Sequence, residues 1–243
     1  MFTWHGSRAL AATALLLTVA GCGGSTPRSA TATPSLTPPA SATATATATT
    51  SPTPAPDIEQ VAIVSSGFGA YDLQVYPIAV LHNLASAHTA SQVIVSFTVD
   101  LASGSYQLSA EPVSLASGET LGVTVLCTDK CDGATGIEAA TKVGSWVAGG
   151  RSVITAGAAS WTCGSPCHGS RGYQGDVTGT LSGDVPAGML VGFSAVCVNS
   201  GGTIVGGGLL PSVWPDASAA SPSVPTLVTS QPASCQLYGT EVS

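Results

Sequence analysis

Of seven cysteines, Cys22 stands apart near the start of the chain and the other six fall in the C-terminal half. Cys127-Thr128-Asp129-Lys130-Cys131 and Cys163-Gly164-Ser165-Pro166-Cys167-His168 each set two thiols four positions apart, and Cys197 and Cys235 follow. Two such segments could supply four thiolates to a tetrahedral zinc ion, and Cys163, Cys167 and His168 offer the soft donors that suit Cu(I). In an exported chain the same even count makes disulfides instead. Six cysteines allow many connectivities. Proximity favours Cys127–Cys131, Cys163–Cys167 and Cys197–Cys235, and Cys127 or Cys131 pairs with Cys163 or Cys167 if their strands are neighbours. Cys-x-x-Cys is absent, and no helix is expected beside these residues to lower a thiol pKa, so redox catalysis is disfavoured. Disulfides are the expectation, with a zinc or copper site built on the two Cys-x-x-x-Cys segments as the alternative.

Other chemistries find less support. Gly-x-Ser-x-Gly does not occur, and His82, His88 and His168 have no recognisable nucleophile and carboxylate beside them. Asp129 and Asp132 share a turn, but calcium takes about six or more oxygen ligands, so a solvated acidic turn is the simpler reading. Trp146, Trp161, Trp214 and Tyr173 are read as core, because aromatics make up only 5% of the chain; an exposed aromatic row would instead suggest glycan or peptide recognition. No catalytic residue, cofactor or metal ligand is assigned, which leaves an unrecognised hydrolase site as a further alternative. All thirteen acidic residues lie at or after Asp57, where only Lys130, Lys142, Arg151 and Arg171 are basic, a net charge of −9 with histidines neutral. That balance argues against nucleic acid and anionic membrane surfaces as partners.

The elements that must position these residues read as strands. Short β-rich runs bounded by Gly, Ser, Asn and Asp recur at Gln60–Val64, Val75–Leu81, Gln92–Asp100, Ser105–Leu108 and Leu121–Cys127. Others fall at Ser152–Thr155, Asp176–Leu181, Leu190–Val198, Thr203–Gly206 and Thr226–Thr229. In Gln92–Asp100, Val93, Val95, Phe97 and Val99 share one face, the pattern of a half-buried antiparallel strand. A short helical turn is expected over Leu84–Ala90. A weak repeat aligns Val95–Ser105 with Phe193–Thr203, about 98 residues later; each copy is a strand, a Gly turn and a second strand. That spacing is close to the size of one immunoglobulin-type sandwich.

The N-terminal part has a different composition. Arg8 precedes an apolar run from Ala9 to Val19, then Ala20-Gly21-Cys22, the order of a secretory signal. A helix of about 11 residues covers roughly half of a ~30 Å hydrocarbon core and cannot span it. The small residues before Cys22 resemble the lipobox of bacterial lipoproteins, and the resemblance implies a diacylglyceryl group on the Cys22 thiol. Two acyl chains anchor far better than one, at about 0.8 kcal/mol per buried CH₂. Residues 23–57 are dominated by Pro, Thr, Ala and Ser and bury too little apolar surface to order themselves. Extended at about 3.1 Å per residue, such a stalk reaches on the order of 100 Å.

Gly67 to Val125 is similar to the bacterial FxLYD-type immunoglobulin-like domains. It has Gly67-Phe68-Gly69, a strand ending at Asn83, and Leu115-Ala116-Ser117-Gly118-Glu119-Thr120 in place of the family's Leu-x-Pro-Gly-Glu turn; of the naming motif, Ser96–Asp100 keeps only the Asp. The resemblance implies an extracytoplasmic sandwich and no functional residue. The expected architecture is all-β: a signal peptide (1–21), a lipid-anchored disordered linker (22–57), and two tandem immunoglobulin-like antiparallel β-sandwiches (58–145 and 146–243). The expected role is non-catalytic, a cell-envelope lipoprotein for binding or structure. Its partners are the membrane, through Cys22, and an envelope or extracellular protein or glycan.

Overall fold

The computed structural model describes residues 57–242. The expected signal peptide, the linker before Asp57 and Cys22 lie outside them. Strands follow in the order β1 (Val61–Tyr71), β2 (Gln74–Asn83), β3 (His88–Leu101), β4 (Gly104–Ser109), β5 (Val113–Leu115), β6 (Thr120–Thr124), β7 (Ala134–Lys142) and β8 (Ser145–Ala148). They continue with β9 (Thr155–Gly169), β10 (Gly172–Ser182), β11 (Leu190–Val198), β12 (Ile204–Val213), β13 (Ala219–Ala220), β14 (Ser223–Val228) and β15 (Ser234–Glu241). One 3-10 turn, Asp129–Cys131, is the only helical element among the described residues. The all-β expectation holds, and every pairing is antiparallel.

The strands form three sheets. A three-stranded sheet runs β1-β2-β6. A five-stranded sheet is built on β3, with β4, β5, β7 and β8 all pairing with it. A seven-stranded sheet runs β13-β10-β14-β12-β11-β15, with β9 also on β10. β3 serves four partners because it is long and interrupted. Gln92 takes φ 52°, and the register against β5 shifts between Ala90 and Val93. Beyond that bulge the alternation is as expected, with Val93, Val95, Phe97 and Val99 all at 0% exposure.

The three-stranded sheet is the middle layer. Pro77 to Leu81 of β2 are buried without a break, which alternating side chains permit only when both faces are covered. Ala79, Leu81, Leu121 and Val123 share a core with Val93, Val95 and Phe97 of β3. The opposite face meets the seven-stranded sheet, and the glycines there record how closely. A Cβ on Gly122 of β6 would stand 2.6 Å from Val196 Cγ2 and 2.7 Å from Tyr238 Cδ2, and one on Gly207 of β12 would stand 2.9 Å from Ile78 Cδ1. The seven-stranded sheet wraps its own core of Val177, Leu181, Phe193, Trp214, Val224 and Leu237. Tandem sandwiches divided at residue 145 are not shown: Val196, Ile204 and Tyr238 join the core formed by β2, β3 and β6.

Two local expectations are corrected. Leu84–Ala90 holds no helical turn; it is a loop running into β3. The buried Asn83 side chain donates to the His88, Leu115 and Ala116 carbonyls and accepts from the Ala85 N–H, which fixes that loop in a non-helical path. Ser152–Thr155 is mostly outside any strand, because Ile154 plugs the second core instead of pairing. The repeat's two copies do fold alike, as the hairpins β3–β4 and β11–β12.

Candidate functional site

The structure pairs the cysteines locally, with Cys127–Cys131, Cys163–Cys167 and Cys197–Cys235 all disulfide-bonded. Cys127–Cys131 brackets the 3-10 turn, Cys163–Cys167 lies within β9, and Cys197 and Cys235 face each other in register on β11 and β15. The thiols that a zinc or copper site would need are thereby engaged. Among the described residues no group of three or more His, Cys, Asp and Glu side chains gathers. His82 Nδ1 contacts Thr120 Oγ1 at 3.0 Å, His88 Nδ1 lies 2.5 Å from Asp57 Oδ2, and His168 stacks on Tyr173. The acidic turn meets a cation of the chain itself, through an ion pair between Asp132 and Arg171. Trp214 is core at 1% exposure, while Trp146, Trp161 and Tyr173 are half-buried and pack against the cores. No exposed aromatic row forms from these four.

A cleft that sequence reasoning missed lies beside β6. It has a volume of ≈ 180 Å³ and draws its lining from all three layers. Gly122–Thr124 of β6 and Val125 just after it supply the middle layer. The β4–β5 connection, Ala110 to Pro112, and Val113 of β5 come from the five-stranded layer, and Leu190, Gly192, Leu209, Pro211 and Thr240 come from the seven-stranded one. It lies at the edge where β6 ends the middle sheet, between residues of both outer sheets. Leu190 and Val242 at its margin are 44% and 38% exposed.

Main-chain polarity defines the β6 wall. The Val125 N–H donates to the Pro77 carbonyl, and the Asn83 N–H donates to the Glu119 carbonyl. In an antiparallel ladder these inward groups alternate with outward ones. The N–H and C=O of Gly122 and Thr124 therefore point away from β2. Ser194 Oγ donates to the Gly122 carbonyl at 2.6 Å. Thr240 Oγ1 is buried without a hydrogen-bond partner.

A buried polar cluster holds the start of β6. Glu119 accepts from the Ala116 N–H at 2.6 Å, and both its carboxylate oxygens accept from Arg151 Nη2 at 2.9 Å. Burial pushes the Glu119 carboxyl above its ordinary range, and Arg151 and the Ala116 N–H pull it back in part. Burial likewise raises the phenols of Tyr76 and Tyr238. Glu111 and Glu241 also line the cleft, and neither takes part in a salt bridge among the described residues. No protein-family model, curated protein or solved structure matches this chain.

Proposed function

We propose that this chain is a lipid-anchored, extracytoplasmic binding protein of the bacterial cell envelope, whose described part is a non-catalytic, disulfide-stapled β module. The cleft beside β6 carries the reading. Its lining is mainly aliphatic, with a few main-chain groups and one unpartnered hydroxyl, a surface suited to holding apolar groups and orienting them. Three disulfides fit an oxidising compartment. The leader and Cys22 supply the route out and the anchor, and the stalk sets the reach. The likeness of Gly67–Val125 to FxLYD-type domains points to the same location. Asn83 and Glu119, two residues of that likeness, pin the turn before β6.

The test is metabolic labelling with an alkyne fatty acid, followed by membrane fractionation of wild type and Cys22→Ser. Labelled, membrane-bound wild type and an unlabelled, released variant are expected. Unlabelled wild type, or a variant that stays on the membrane, overturns the anchor.

A further inference from the structure

Resting on the binding reading, we propose that the cleft takes an extended apolar peptide segment of another protein, which adds to the middle sheet as its fourth strand beside β6. Three observations define that occupant. The first is main-chain chemistry. β6 turns the N–H and C=O of Thr124 away from β2, so a peptide backbone about 4.8 Å away would continue the ladder.

The second is size and polarity. A cavity of ≈ 180 Å³ falls below the roughly 300–1,000 Å³ of drug-sized ligand sites. It is near the ~150 Å³ that accepts one small aromatic molecule, and so suits a few aliphatic side chains. The lining stretch, the end of β6 and the residue after it (Gly122–Val125), is four residues long, about 13 Å of extended chain. One side of the cleft is Leu190, Leu209 and Pro211, and the other is Ala110 and Val113. Side chains on both faces of an added strand would meet apolar surface, as Ile78 to Leu81 of β2 do. The segment is therefore a continuous apolar run, not an alternating one.

The third is charge. Glu111 and Glu241 line the cleft without salt-bridge partners among the described residues. Arg151 and Arg171 pair with Glu119 and Asp132, and Lys130 and Lys142 do not line it. The flanks of the guest are thus basic.

The probe is the capped hexapeptide Lys-Val-Ile-Val-Val-Lys, titrated into the full exported chain with amide hydrogen exchange as the readout. Exchange at the Thr124 amide should slow by about tenfold or more at saturation. A backbone N-methylated peptide should lose that protection. Glutamate in place of both lysines should weaken binding by about tenfold at low salt. Gly192→Leu should block binding by filling the floor. A Cβ there meets Thr240 Cγ2 and Val242 Cγ2 only at 3.7 Å, which leaves the backbone undisturbed. The peptide comparisons use wild-type protein and stand even if that variant misfolds.

An unchanged Thr124 amide, or equal binding of the N-methylated peptide, overturns the proposal. So does protection of the same amide by self-association, which would make a second copy the occupant. A fatty acid that fills the cleft while the peptide does not also overturns it. Failure of peptide binding with Cys22 lipidation intact sinks this inference alone; failure of lipidation sinks the location and leaves the cleft result standing.

Discussion

Single polar side chains do much of the positioning. Asn83 is fully buried, and its amide donates to three carbonyls from two separate segments, His88 and Leu115–Ala116. An unsatisfied buried group costs about 1–3 kcal/mol, so Asn83→Ala should lower unfolding free energy by about 3–5 kcal/mol, measurable by urea titration. Asp57 latches the start of the described chain. Its carboxylate is held well below the usual range, first by the His88 side chain and then by the Ser86 N–H and hydroxyl. A lowered folded pKa means that its contribution is fully present above the ordinary Asp value of about 3.9 and is lost as pH falls below it. Asp57→Asn should therefore be less stable than wild type at pH 6, and the difference should shrink on acidification below about pH 4. Glu119 works in the opposite sense. Its raised carboxyl costs stability as pH rises through its folded value, so acid relieves that penalty while it removes the Asp57 latch.

At the scale of elements, β6 is the decisive strand. Its inward face closes the core with Leu121 and Val123, and its other face touches the seven-stranded sheet through Gly122. Gly122→Ala must displace Val196 or Tyr238, an overpacking change of about 1–3 kcal/mol. Chemical denaturation should show that loss, and Val196→Ala in the same chain should restore part of it. Two strands were legible: Gln92–Asp100, with its clean alternation, sits inside β3, which begins four residues earlier, and Leu190–Val198, a β-rich run bounded by turn residues, is β11 with the same bounds. β7 and most of β9 were not. Ala134–Lys142 and Thr155–Gly169 are rich in Ala, Thr, Gly and Ser and mostly half-exposed, so their apolar periodicity is weak. Their strand character comes from pairing with β3 and β10.

For the whole molecule, stability is expected to be shared across residue 145, since Val196, Ile204 and Tyr238 complete the core of β2, β3 and β6. Calorimetry should give one cooperative transition, with Val80→Ala and Leu237→Ala lowering the same midpoint although they lie in different cores. Two separated transitions would mean that the halves fold independently.

The sequence by itself determined the all-β class and the inward face of β3, because alternation is a property of neighbours along the chain; it favoured the cysteine pairing that the structure shows without excluding pairs between the two Cys-x-x-x-Cys segments. It also carried Asn83 and Glu119, though only as parts of a resemblance, with no hint that they are buried and bonded. Tertiary structure alone decided the middle layer, the open edge of β6 and the cleft beside it. Which strand ends a sheet, and what flanks it, depends on bringing together residues as distant in sequence as Ala110 and Leu209, which line one cleft. No local pattern encodes such a juxtaposition; it arises only when three sheets of three, five and seven strands close on one another.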